Sequence, residues 1–257
     1  DQFQFAMPKP WNGLRIEIIQ RQTRSTAISL GFPIAVTRRD ADWPALEVVT
    51  SYFGQHRSSN SHLYQCLRET RGLNYGDYAY IEYFPSGMFQ FEPDPNLGRH
   101  YQTFQIWIRP VEPQNGLFAL RAALYEYNKL WQNGLSPAAF DSTREFLGKY
   151  ANLLTQTQSA RLGYALDSRY YGIGDFPEFL RTRMSGLTVD EVNQAIRRDF
   201  SPGQMQAVIV TQEAAALRQA ILEQKPSSIT YNAPKPKEIL DEDRLIEHYP
   251  LEVKPAA

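Results

Sequence analysis

The chain has 257 residues, with 27 Lys and Arg set against 28 Asp and Glu, a net charge of −1 and 13% aromatic residues. That length holds one large domain or two small ones around a buried core. The balanced charge excludes the basic field of a nucleic-acid binder or a membrane-surface protein, and no apolar run reaches the roughly 18 residues of a membrane span.

Residues 1–12, with Pro8, Pro10 and Trp11, read as an irregular N-terminal arm. The chain opens at Asp1 without a signal segment, as a mature protein or an excised fragment would. Leu14, Ile16 and Ile18 alternate with charged residues, which predicts a half-buried strand. A second alternation, Ile28 to Val36, predicts another; Pro33 cannot donate to a ladder and so predicts an edge position or a bulge. Asp42 and Pro44 predict a capped helix start, with Trp43, Leu46, Val49 and Phe53 on one stripe.

Pro85 to Tyr101 reads as a long loop or hairpin extension, a length that is usually functional or mobile. Phe104, Ile106 and Ile108 predict a strand, and Leu117 to Trp131 a long helix closed by Gly134. Ser136-Pro137 is an N-cap and N1 pair for a helix running to Leu154. Helical pattern continues through 159–171 and 176–184, and Thr188 with Glu191 predicts a capping box. Met205–Val210 predicts a strand and Glu213–Gln224 a helix. The order predicts an α+β fold, a mostly antiparallel sheet with a layer of helices on one face. Residues 13–225 form that domain, and 226–257, rich in Pro and charge, read as an extended tail that needs another surface to order it.

The stretch Ser58–Phe84 stands out. Leu63, Cys66 and Leu67 share one buried helical stripe, with Tyr64, Arg68 and Arg71 on a neighbouring face. Gly72 ends the helix, and from Tyr75 a strand alternates, with Tyr78 and Tyr80 on the face opposite Tyr75. Arg68 and Tyr75 are thereby candidates for one shared cavity. The residues alone also allow a plainer reading, in which Arg68 pairs with Glu69 or Asp77 and Tyr75 packs at the sheet edge. The tyrosines have two readings as well, core filling or an aromatic wall gripping extended peptide. Cys66, the single cysteine, excludes a disulfide framework and any Cys-based metal cage, and reads as inert packing.

Within that stretch, LYQCLRETRGLNYGDYAY resembles the L-R-E-x-x-G-L-x-Y segment of the C-terminal, metal-free half of insulinase/pitrilysin zinc peptidases, the group that includes the mitochondrial processing peptidases. QTRSTAISLGFPIAVTRRDADW, FQIWIRPV, GLSPAAFDSTREFL and LTVDEVNQAI extend the resemblance over roughly Gly13 to Ile221. It implies half of a clam-shaped peptidase, with Arg68 and Tyr75 reaching toward substrate held at a zinc in the other half. A guanidinium and a phenol both donate hydrogen bonds to a substrate carbonyl or oxyanion, but neither activates water alone. Tyr78 and Tyr80 are the further candidates for substrate contact.

The zinc-holding H-x-x-E-H helix of such enzymes is absent: His56, His62, His100 and His248 have no His partner at the fourth position. His56 and His62 read as exposed turn residues. No G-x-S-x-G elbow, phosphate loop or Cys–His nucleophile signature occurs. The expectations are then a chain that binds no metal, expects zinc in a partner half or separate homologous subunit, meets peptide or unfolded protein, touches neither nucleic acid nor membrane, and is inactive alone. Relatives of this type also suggest an exported, periplasmic home. The alternatives are a non-catalytic structural or substrate-holding subunit and an independent peptide-binding scaffold.

Overall fold

Residues 6–9, 11–55, 58–84 and 92–254 are described by the computed structural model of the protein. The two alternating runs form β1 (Gly13–Gln20) and β2 (Thr26–Ile34). They are followed by α1 (Trp43–Gly54), a π-helical turn (Tyr64–Glu69) and β3 (Asn74–Tyr80). Next come β4 (Gln102–Val111), α2 (Gly116–Asn133), α3 (Pro137–Tyr150), α4 (Gln158–Tyr171), α5 (Phe176–Gly186) and α6 (Val189–Asp199). β5 (Gln204–Thr211), α7 (Ala214–Leu222) and α8 (Lys237–Glu247) end the order. Of the N-terminal arm, residues 6–9 and 11–12 have no regular structure; of the Pro85–Tyr101 loop, residues 85–91 lie outside the described residues.

The strands hydrogen-bond in the order β1-β5-β2-β4-β3, with β1 and β5 parallel and the other pairings antiparallel. In β2, Ile28, Leu30, Phe32 and Ile34 are buried while the residues between them stay half-exposed, and β4 repeats this with Phe104, Ile106 and Ile108. One sheet face is therefore covered by helices and the other is open. On the covered face Phe32, Phe104, Tyr127 and Phe200 pack ring on ring, with Phe104 and Phe200 centroids 4.4 Å apart. β2 is central, so Pro33 marks neither an edge strand nor a bulge; the register shift in β2 falls between Thr26 and Ile28. Its pairing with β5 ends at Gly31, so at Pro33 a neighbour flanks one side alone, and the missing N–H is tolerated.

Two of the expected caps form. Ser136 Oγ accepts from Ala139 N at 3.2 Å, and Thr188 and Glu191 exchange both bonds of a capping box. Asp42 does not cap α1; its carboxylate is drawn away by Arg198, at 2.6 and 2.9 Å. α3 stops at Tyr150 and passes into a 3-10 turn, short of Leu154.

A buried cation joins the helices to the sheet. Arg38 donates twice to Glu82, at 2.7 and 2.8 Å, and reaches Asp167 at 3.4 Å, while Trp43 Nε1 donates to the same Glu82 carboxylate at 3.0 Å. The guanidinium also lies over the rings of Phe176 and Tyr164. Burial opposes its charge, but Glu82 outweighs this and holds its pKa above the usual value.

The C-terminal region is packed, which corrects the expectation of an extended tail. α8 buries Asp243 and Ile246, and Arg71 donates to Asp243 and Glu242, each at 2.7 Å. Arg121 holds the backbone carbonyls of Lys225 and Glu247, and Val253 bridges to Leu14 beside β1. Of the charged residues that made the segment read as an extended tail, Glu242 and Asp243 meet the buried Arg71 here.

Replacing Arg38 by Met leaves Glu82 and Asp167 buried without their counter-charge. The expected loss, read by urea denaturation, is roughly 3–5 kcal/mol; a loss below about 1 kcal/mol contradicts a joining role.

Candidate functional site

The π-helical turn owes its position to Leu63 and Leu67, both fully buried, and its widened winding appears as Thr70 N donating to Gln65 O at 2.9 Å. Gly72 takes φ +64°, the left-handed conformation that lets the chain reverse into β3. Arg71, read from sequence as sharing a face with Arg68, turns instead beneath α8 and also donates to Cys66 O at 2.9 Å. The wider π turn and the acids of α8 separate the two arginines.

Arg68 and Tyr75 do come together. The Arg68 guanidinium lies 4.5 Å from the Tyr75 ring centre and 4.8 Å from that of Tyr64, held between two aromatic faces. Its Nη1 donates to the Tyr75 carbonyl at 3.2 Å, and Glu69 approaches its Nε at 3.9 Å. Tyr75 is 69% exposed. The pair sits at the start of an edge strand and faces outward, and neither residue lines the cavity of about 590 Å³ between α4 and α5.

Tyr78 and Tyr80 belong to a different patch. Strand alternation sets them on the open sheet face, where Tyr80 is buried against Phe84 (centroids 4.3 Å apart) and Tyr78 packs with Trp107. Directly inside Tyr75 on the covered face lies Asp77, 2% exposed. Burial pushes its pKa up to about 7, with a hydrogen bond from Asn74 and the charge of Arg68 acting the other way.

Residues 4–147 match the family described as the peptidase M16 inactive domain. This chain belongs to that family. Solved structures with the same fold include the peptidase M16 inactive domain from Pseudomonas fluorescens, at TM-score 0.63 and 18% identity, covering 81% of this chain and 45% of that one. The inactive peptidase domain of a zinc protease from Bordetella parapertussis covers 85% and 98%, at TM-score 0.53 and 12% identity. The periplasmic protease PqqL from Escherichia coli covers 99% of this chain and 26% of its own, at TM-score 0.58 and 15% identity. The chain thus spans under half the length of the first of these. A search of curated sequences finds no match.

As an M16 inactive domain, the chain does not fit the catalytic zinc. His248 pairs with Glu247 at 3.0 Å, His100 packs on Tyr170, and His56 lies outside the described residues. His62 is not the exposed turn residue the sequence suggested. Its Nε2 meets Glu126 Oε2 at 2.7 Å and Cys66 Sγ at 3.6 Å, so Cys66 is not inert packing either. One imidazole, one thiol and one carboxylate converge here, where the catalytic motif needs two imidazoles on one helix. The four-residue spacing of His62 and Cys66 was a legible signal; Glu126, on α2, left none.

The raised pKa of Asp77 makes a pH prediction. An acid protonated in the fold up to about 7 but ionised from about 4 when unfolded binds more protons in the folded state between those values. Its contribution to stability is therefore lost as pH rises through that window. Asp77→Asn, measured by thermal unfolding, is expected to raise Tm more at pH 7.5 than at pH 4.5; an equal shift at both contradicts the buried neutral carboxyl.

Proposed function

We propose that this domain is the non-zinc half of an insulinase-type metallopeptidase, forming part of the proteolytic chamber and contacting substrate through Arg68 and Tyr75. The observation that carries this reading is the exposed Tyr64–Arg68–Tyr75 stack on an edge strand, built from the residues of the L-R-E-x-x-G-L-x-Y motif. The stack holds two hydrogen-bond donors at a solvent-facing position, preorganised by ring contacts and by the turn at Gly72. Hydrolysis would come wholly from a zinc-bearing half or separate homologous subunit; this chain's share is to hold a peptide carbonyl. Tyr78, half-exposed beside Trp107, supplies an aromatic contact for extended peptide, and Tyr80 supports it from behind. The substrate class is peptide or unfolded protein.

A second reading, a structural or peptide-binding subunit without a catalytic share, is favoured by one observation: Arg68 Nη1 is already engaged by the Tyr75 carbonyl. Export to a periplasm is part of the proposal, supported by the description of the PqqL protein as periplasmic. No helix among the described residues is long and apolar enough to cross a membrane.

Assembly with the cognate zinc-bearing half separates the two readings. Arg68→Ala and Tyr75→Phe are each expected to lower kcat by about a hundredfold to a thousandfold, the cost of removing one oxyanion donor, with co-elution of the halves unchanged. Full turnover in both variants leaves the structural reading.

A further inference from the structure

The His62, Cys66 and Glu126 group lies outside the proposed substrate contact, and its geometry has a distinctive feature. Glu126 Oε2 approaches the ring nitrogen Nε2 at 2.7 Å, and Cys66 Sγ lies beside the ring, 3.6 Å from Nε2 and 4.0 Å from Nδ1. In a nucleophilic Cys–His–acid triad the thiol and the acid occupy opposite nitrogens. Here the opposite nitrogen, Nδ1, faces the Tyr52 hydroxyl at 3.2 Å. A carboxylate at one ring nitrogen, a thiol beside the ring and an oxygen that orients the other nitrogen bring three ligand types within reach of one ion. The three donor atoms all lie within 4.8 Å of one another.

We propose that His62, Cys66 and Glu126 form a binding site for a thiophilic divalent cation of the zinc type, separate from the family's catalytic metal. A tetrahedral ion of that kind sets its ligand atoms about 3.3–3.5 Å apart. The nitrogen–sulfur separation already meets this; the thiol has to swing from beside the ring to the front of Nε2, and the Glu126 oxygen has to withdraw by roughly half an ångström. The ring is held for the purpose: it stacks on Tyr52 and Phe53, with interplanar angles of 24° and 18°. Glu126 is buried, with 1% of its side chain exposed, whereas His62 keeps 25%, so an ion reaches the group from the histidine side and completes its shell with water. Lys129, 3.3 Å from Glu126, is shared with Glu242 at 2.8 Å and can rest on that carboxylate.

The expected absence of metal was drawn from the missing H-x-x-E-H helix, from a single cysteine that excludes a Cys-based cage, and from His56 and His62 lacking a third ligand. None of these arguments reaches a mixed site of one imidazole, one thiol and one carboxylate assembled from residues 62–66 and α2. The ion would also tie the segment that carries Arg68 to α2, though the site stands whether or not Arg68 touches substrate.

The test uses the full chain with Co²⁺ and Zn²⁺. One equivalent of Co²⁺ is expected to bind with a thiolate-to-metal charge-transfer band and the visible bands of a tetrahedral site, and Zn²⁺ is expected to displace it. Cys66→Ser removes the charge-transfer band. His62→Gln and Glu126→Gln each weaken Zn²⁺ affinity by more than about tenfold, and Tyr52→Phe, which leaves all three ligands in place, by about tenfold. Circular dichroism confirms that each variant is folded, and His62→Gln serves if Glu126→Gln is not. Binding that ignores His62→Gln is capture by an isolated thiol and overturns the proposal, as does the absence of a one-equivalent complex.

Discussion

A sheet buried on one face and open on the other constrains everything else in this domain. The alternation of β2 and β4 sends Ile28, Leu30, Phe32, Phe104, Ile106 and Ile108 beneath the helices and leaves Ser29, Gln105 and Trp107 on the other side. Helices can then add to one layer alone. The open face and the β3 edge are left for contact with something else, and the Arg68–Tyr75 stack and the Tyr78–Trp107 patch lie there.

Buried arginines fasten this arrangement where apolar packing runs out. Arg38 gathers Glu82, Asp167 and Trp43 into one hydrogen-bonded group at the end of the helical layer. Arg71 does the same for α8, and Arg121 for the segments that flank it. The guanidiniums of Arg38 and Arg71 compensate the cost of burying the carboxylates they meet. A consequence for the proposed site is that the π-helical turn is gripped from both sides, by Leu63 and Leu67 against the core and by Arg71 under α8. Arg68, between them in sequence, is left facing outward on a fixed base.

Much of the fold was legible. Alternating runs, the Ser136-Pro137 cap, the Thr188–Glu191 box and the glycine stops at Gly72 and Gly134 are local signals, and the structure honours each. The candidate pair was legible for the same reason, since Arg68 and Tyr75 are separated by one turn of chain. What failed depended on distant partners. Asp42 was read as a cap because nothing near it in sequence reveals Arg198. The C-terminal segment read as an extended tail because Arg71 is more than 170 residues away from the acids it meets there. His62 and Cys66 looked ordinary without Glu126 between them.

The sequence by itself determined the order of the main elements as far as α7, the family and the placing of a guanidinium and a phenol at one helix-to-strand corner, because periodicity, capping and turn chemistry act over a few residues. The tertiary structure alone decided that β2 is central, that the C-terminal region packs, that Tyr78 and Tyr80 pack with Trp107 and Phe84, and that His62, Cys66 and Glu126 meet. Each of these follows from contacts between segments remote along the chain, and charge pairing and ring packing across such distances leave no periodic trace in the residues that make them.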